Sequence, residues 1–241
     1  MKIIGVIPAR YASTRFPGKP LVHLIGKPLL QWVVEGAKRC TILETVIVAT
    51  DDDRIEKLCK DIGVEVVRTS PDCATGTDRL FEATKNLDFD VVLNIQGDEP
   101  LVGPEYINPL AEAFLNQNGL DMATLAHPAS ESDIQNPNAV KVIINRNSEA
   151  IYFSRFAIPY SREAYTVESQ AALKHIGLYA YTKSFLQTFC TSPQAEIEKA
   201  ESLEQLRALY LGARIKVIQV EKPTYGVDTP EDLRTLEALL K

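Results

Sequence analysis

The apolar runs of this 241-residue chain are no longer than strands, Val91-Val92-Leu93 being representative. A bilayer-crossing helix needs ~20 apolar residues, so no membrane span is expected. Cysteine is scarce: Cys40, Cys59, Cys73 and Cys190 are far apart, with no C-x-x-C pair. That spacing suits a reducing compartment and argues against a zinc site or a disulfide framework. Positive charge is in deficit, with 26 Lys and Arg against 32 Asp and Glu, a net of −6. Broad nucleic-acid binding is therefore disfavoured. G-x-G-x-x-G is absent, and no P-loop is present, because Lys19 is followed by Pro20. A nicotinamide dehydrogenase is disfavoured with them. The opening MKIIGVIPAR lacks the long apolar core and cleavage site of a secretory signal, and reads as a first strand. No Gly/Ser linker, repeat or low-complexity segment interrupts the chain.

What is present is an ordinary globular composition, 45% hydrophobic and 24% charged. A chain this long can bury about 70–75% of its unfolded surface and needs no covalent staples. Strand-like and helix-like periods alternate. Strands are expected at 2–8, 45–49, 64–68 and 91–96, with helices at 28–40, 52–62, 77–86 and 104–117 between and after them. Near-continuous apolar strands in this order predict a parallel sheet covered on both faces. Beyond residue 120 the pattern changes. Strands at 122–126, 139–145, 150–153 and 173–182, some alternating, predict a half-exposed antiparallel subregion. Helices are expected at 183–190 and 202–211, a strand at 215–220, and a last helix capped by Thr229 with Pro230 in its first turn. The expected whole is one domain, residues 1–241, with an inset near 120–185.

Open α/β sheets bind ligands beyond the carboxyl ends of their strands. Three loops there carry unusual chemistry. The first, Pro8–Pro20, contains Arg10, Arg15 and Lys19, no acid, and Ser13 as a further donor. Uncompensated cations repel one another, and a phosphate chain would relieve them. The second contains Thr75, Gly76, Thr77 and Asp78; Gly76 allows close backbone approach, and Thr77 is a candidate helix cap. The third runs from an apolar strand into Gln96-Gly97-Asp98-Glu99. A carboxylate at that edge, beside a phosphate loop, suits Mg2+.

The spacing R-x-x-S-x-R-x-P-x-K-P-L resembles the N-terminal signature of nucleotide-sugar pyrophosphorylase-type enzymes. The full string I-P-A-R-Y-A-S-T-R-F-P-G-K-P-L is most similar to the 3-deoxy-manno-octulosonate (KDO) cytidylyltransferase family. A-T-G-T-D-R, Q-G-D-E-P, F-S-R-F-A-I-P-Y, K-H-I-G-L-Y-A-Y, E-S-L-E-Q-L-R and G-V-D-T-P-E-D-L extend the likeness along nearly the whole chain. The resemblance implies a Rossmann-like α/β fold of the nucleotide-diphospho-sugar transferase type, with CTP and KDO as substrates and Mg2+ as cofactor. It implies nucleotide contacts from Arg10, Ser13, Arg15, Lys19, Ala74, Thr75, Gly76, Thr77, Asp78 and Gln96, with Arg10, Arg15, Lys19 and Asp98 catalytic. Asp98 and Asp228 would hold the metal. Gln96, Arg155, His175, Tyr179, Glu204 and Gln205 would meet the sugar, Arg155 through its carboxylate.

Simpler readings stand beside these. His175 is equally well a satisfied structural histidine, and Ser202 with Gln205 has the spacing of a capping box. The motifs offer no dedicated general base; Asp98 or metal coordination of the nucleophile comes first, and His175 is the reserve. A cytidylyltransferase for another acid sugar, such as sialic acid, and a non-catalytic CTP sensor remain as alternatives. The family likeness further implies a cytoplasmic homodimer serving lipopolysaccharide inner-core synthesis, with the dimer contact expected on the half-exposed strands.

Overall fold

The computed structural model describes residues 1–12, 16–160, 162 and 172–241. Two compact units emerge, Met1–Ala111 with Thr224–Lys241, and Glu112–Pro223. The inset read from sequence near 120–185 falls inside the second.

The first unit opens with β1 (Ile3–Pro8). A hairpin of β2 (His23–Leu24) and β3 (Lys27–Pro28) follows, then α1 (Leu29–Lys38), β4 (Thr45–Thr50), α2 (Asp53–Asp61) and β5 (Glu65–Arg68). Next come α3 (Gly76–Thr84), β6 (Val91–Asn94) and α4 (Pro104–Asn116), within which the chain enters the second unit. The strands lie in the order β6-β1-β4-β5 and are all parallel. Their runs are continuously apolar because both faces are covered. Ile4, Val6, Ile7, Val91, Val92 and Leu93 are all 1% exposed or less.

Local signals set the helix ends. Asp52 caps α2 by accepting from the Arg54 amide at 2.9 Å, and Gly63, at φ +65°, takes the left-handed turn just beyond that helix. The cap of α3 is Thr75, not Thr77 as the sequence suggested. Thr75 Oγ1 accepts from the Asp78 amide, and Asp78 Oδ2 accepts from the Thr75 amide, at 3.1 and 3.0 Å. Thr77 has Leu80 three residues on, which cannot return that bond. It lies inside the helix, buried, where its hydroxyl accepts from Asn94 Nδ2 at 3.3 Å.

Chain order fixes where a ligand can bind. The sheet grows from β1 outward through β4 and β5, then returns to place β6 on the other side of β1. Growth reverses at β1, and the carboxyl ends of β1 and β6 flank a crevice.

The second unit holds β7 (Met122–Pro128), α5 (Glu131–Gln135), β8 (Lys141–Ile144), β9 (Ala150–Ser154) and β10 (Leu173–Thr182). Then follow α6 (Lys183–Thr191), α7 (Glu196–Glu201), α8 (Gln205–Tyr210) and β11 (Ile215–Gln219). β11 joins β7 in parallel, and the β7-β10-β8-β9 ladders are antiparallel. Two expectations are corrected here. The alternation at 141–144 suggested a half-exposed strand, yet Lys141 is fully buried. Its ammonium donates to the carbonyls of Asn136, Ala139 and Arg155 at 2.6–3.0 Å. Nor does Ser202 form a capping box with Gln205. It ends α7 at φ +51°, and α8 begins separately at Gln205. A bidentate ion pair between Arg207 and Glu198, at 2.8 and 2.6 Å, joins the two helices.

The chain then returns to the first unit with α9 (Pro230–Leu239). As expected, Thr229 caps it, in a reciprocal box with Asp232. Leu236 of α9 packs with Leu24, Leu29 and Val227, and Phe16, Trp32 and Leu101 border the cluster. This small core ties the basic loop, the hairpin, the turn after β6 and the approach to α9 to one another.

Candidate active site

A cleft of about 200 Å³ opens at the β1/β6 crevice, within the first unit. From the basic loop, Arg10 and Lys19 line it, and Arg10 is exposed. Ser13 and Arg15 lie outside the described residues. Gly18 turns the loop at φ +71° and donates its amide to the Tyr11 carbonyl at 2.9 Å. A Cβ on Gly18 would meet the Tyr11 ring at 2.9 Å, so glycine is required twice over. Lys19 then begins a short 3-10 turn, Lys19–Leu21, and its side chain is only 13% exposed.

The loop after β6 brings Asp98 to the same place. A Cβ on Gly97 would lie 3.0 Å from the Pro8 carbonyl oxygen, so the missing side chain lets this loop close on the end of β1. Asp228, 130 positions later in sequence, arrives from the approach to α9. The Val227 amide donates to the Asp98 carbonyl at 2.9 Å, which joins the two segments by backbone. Both carboxylates converge on one nitrogen: Lys19 Nζ is 2.6 Å from Asp98 Oδ2 and 3.1 Å from Asp228 Oδ1.

Glu99, next to Asp98, is a residue the sequence reading left unassigned. Its Oε1 accepts from Thr224 Oγ1 at 3.2 Å, and its buried Oε2 has no hydrogen-bond partner. Burial, and then the charges of Asp98 and Asp228, push its carboxyl up to about 8. The near-neutral form spares the cleft a third negative charge.

From the second loop, Thr75 and Gly76 line the cleft at the start of α3, where helix amides favour an anion. Ala74, Thr77 and Asp78 are not among its lining residues, and the Thr77 and Asp78 side chains are engaged in the helix start described above. Arg79 was missed although it stands in the same A-T-G-T-D-R string. Four residues after Thr75, it shares that helix face, and this is the signal that could have found it. It lines the cleft at 3% exposure, donates to Thr69 Oγ1 at 2.6 Å and lies 3.2 Å from Asp51. Cys73 also lines the cleft. Burial, reinforced by its contact with Glu82, pushes its thiol up to about 11, away from the reactive thiolate. Gln96 lines it as well, with Nε2 donating to Asn94 Oδ1 at 3.3 Å.

The remaining expected residues belong to the second unit. A bulge in β10 lets Ile176 and Tyr179 pair with neighbouring residues of β7, which brings the His175 and Tyr179 rings to 5.4 Å. His175 Nε2 lies 2.9 Å from Thr124 Oγ1, and that hydroxyl in turn reaches the Leu178 carbonyl at 2.8 Å. A neutral Nε2–H tautomer satisfies this chain. Burial pushes the imidazole down to about 3, too weak a base for proton transfer near neutrality. Tyr179 is pushed up by burial, with Glu204 adding to the shift. Gln205 is 4% exposed at the start of α8. The Arg155 guanidinium donates to the carbonyls of Glu201, Pro137 and Ser202 at 2.9–3.3 Å, three of its five N–H groups.

Does the Asp98–Asp228 pair suit a magnesium ion? Both donors are hard oxygens, and a cation, the Lys19 ammonium, already stands between them. No cluster of three or more His, Cys, Asp or Glu able to hold a metal occurs among the described residues. Two carboxylates with room for phosphate and water oxygens suit Mg2+ and not a closed protein cage.

A parallel sheet with cations and paired aspartates at its switch point fits a nucleotidyltransferase, and the relatives of the chain are of that class. Residues 4–215 match the cytidylyltransferase family. The 3-deoxy-manno-octulosonate cytidylyltransferase of Bdellovibrio bacteriovorus is 58% identical, over 100% of this chain and 98% of its own. That of Syntrophobacter fumaroxidans is 49% identical, over 100% and 97%. A solved structure described as CMP:2-keto-3-deoxy-manno-octonic acid synthetase complexed with CTP superposes at a TM-score of 0.95. It is 41% identical and covers 100% of this chain and 98% of that one. The chain belongs to the cytidylyltransferase family.

Proposed function

We propose that this protein couples CTP and KDO to give CMP-KDO and pyrophosphate. The observation that carries the reading is the meeting of Lys19, Asp98 and Asp228 in one cleft, in a chain so similar to named KDO cytidylyltransferases. The KDO anomeric hydroxyl attacks the α-phosphorus in line. A new P–O bond forms, the bond to the bridging oxygen breaks, and pyrophosphate departs. Such chemistry depends on positioning and charge stabilisation.

In this reading Arg10 and Lys19, with Ser13 and Arg15 of the same loop, oppose the triphosphate charge. Gly76, at the first turn of α3, lets the backbone approach the nucleotide closely, with Thr75 beside it. Arg79, which lines the cleft with Nη1 held by Thr69 and Asp51, is assigned to the acceptor edge of cytosine, where uracil would present an N–H and be repelled. Asp98 and Asp228 would hold Mg2+, which would supply positive charge against the phosphates and favour deprotonation of the attacking hydroxyl. Asp98 also takes the hydroxyl proton; His175, held neutral and hydrogen-bonded, is not favoured for that task. The sugar is assigned to the His175–Tyr179 face and its neighbours Glu204 and Gln205. Arg155 is assigned to the KDO carboxylate through the N–H groups left by its three carbonyl bonds.

From the family resemblance we place the enzyme as a cytoplasmic homodimer supplying lipopolysaccharide inner-core synthesis. Among the described residues no helix is long and apolar enough to cross a membrane. Pyrophosphate release measured with four nucleoside triphosphates against a panel of acid sugars tests the reading. Turnover with CTP and KDO is expected. Preference for sialic acid would replace the acceptor, and CTP binding without turnover on any sugar would make the protein a sensor.

A further inference from the structure

Lys19 Nζ stands between Asp98 and Asp228, 2.6 and 3.1 Å from their carboxylates, the pair that the proposed function gives to a divalent cation. Two of its three ammonium protons are directed to those carboxylates. The same ammonium is better buried than Arg10 of the basic loop, and the proposed function asks it to meet a triphosphate. With two of its three donors on the carboxylates it has one left for a phosphate, and it cannot share the carboxylate oxygens with a metal ion without strong repulsion. Its flexible stem, following the left-handed turn at Gly18, permits it to move from one set of partners to the other.

We infer that Lys19 is a place-holding cation that keeps divalent metal off the Asp98–Asp228 pair until a nucleoside triphosphate draws the ammonium away, so that metal enters with the nucleotide and not before it. The inference rests on the proposed function and adds an order of binding to it. Without nucleotide, the ammonium offsets the mutual repulsion of the two carboxylates. With nucleotide, phosphate oxygens offer it a denser negative charge and leave the aspartates to the metal. By linkage, CTP and metal then raise each other's affinity by the same factor.

The test is titration of Mn2+ into wild-type protein and Lys19→Met, with and without CTP and with no sugar present, followed by calorimetry or electron paramagnetic resonance. Without CTP, Lys19→Met is expected to bind Mn2+ about tenfold more tightly than wild type. CTP is expected to tighten Mn2+ binding about tenfold in wild type and less in the variant. Mn2+ should also raise the melting temperature of Lys19→Met more than that of wild type; should Lys19→Met fail to fold, Lys19→Gln serves in both measurements. Equal or weaker binding by the variant without nucleotide, with normal Mn2+–CTP binding by wild type, overturns the place-holder and leaves the proposed function standing. Absence of Mn2+ binding in wild type even with CTP overturns both.

Discussion

Asp98 and Asp228 gain their meaning from a third residue. Apart in sequence by 130 positions, they are brought together by the backbone bond from Val227 to Asp98, and Lys19 stands between their carboxylates. Replacing Asp98 by Asn should lower turnover on the order of a thousandfold while leaving the melting temperature near that of wild type. Near-normal pyrophosphate release from the folded variant would remove Asp98 from the chemistry. His175 makes the opposite claim. Burial lowers its folded pKa to about 3, below the unfolded value of 6.5. Its contribution to stability is therefore complete above pH 6.5 and is lost as pH falls toward 3, because the unfolded chain takes the proton first. The imidazole 15N shifts should stay those of a neutral ring down to about pH 4; a transition near 6.5 would refute the buried, hydrogen-bonded arrangement.

At the scale of elements, close backbone approaches hold the loops in place. Gly36 of α1 is pressed against the turn after Asp98, and a Cβ there would lie 2.0 Å from the Val102 carbonyl oxygen. Gly36→Ala should destabilise the protein by about 1–3 kcal/mol in chemical denaturation and lower turnover with it. Gly177→Ala in β10, where a Cβ meets nothing within 4 Å, is the matched control and should leave both nearly unchanged. Wild-type stability of Gly36→Ala would show that the turn yields freely. Much at this scale was legible in the sequence. Continuous apolar runs announced β1, β4 and β6, and Thr229-Pro230 announced α9, because covered strands and capped helix starts leave local marks. Thr75 was passed over for Thr77 because two threonines flank Gly76, and only the reciprocal partner at Asp78 decides between them. Lys141 was read as half-exposed because a lysine on an alternating strand ordinarily faces water; the carbonyls of Asn136 and Ala139 in the turn before it, and of Arg155 beyond β9, hold it inside. Arg79 faces the cleft through helix geometry and not through its identity in a string.

At the scale of the molecule, the site follows from chain order: growth of the parallel sheet reverses at β1, and the basic loop and Asp98 flank the reversal. The second unit leaves Phe156 and Tyr160 79% and 88% exposed. If the proposed homodimer forms and places its contact on that face, Phe156→Glu should shift sedimentation from dimer to monomer, an unchanged dimer would move the contact elsewhere, and a monomeric wild type would remove the dimer. The central claim is that one nucleotide and one metal share the β1/β6 cleft. The most direct measurement is a crystal structure with CTP and Mn2+, located by anomalous scattering. A manganese peak bonded to both Asp98 and Asp228, with the triphosphate against Arg10 and Lys19, is the predicted result. A peak remote from either aspartate, or CTP bound outside the cleft, would contradict it.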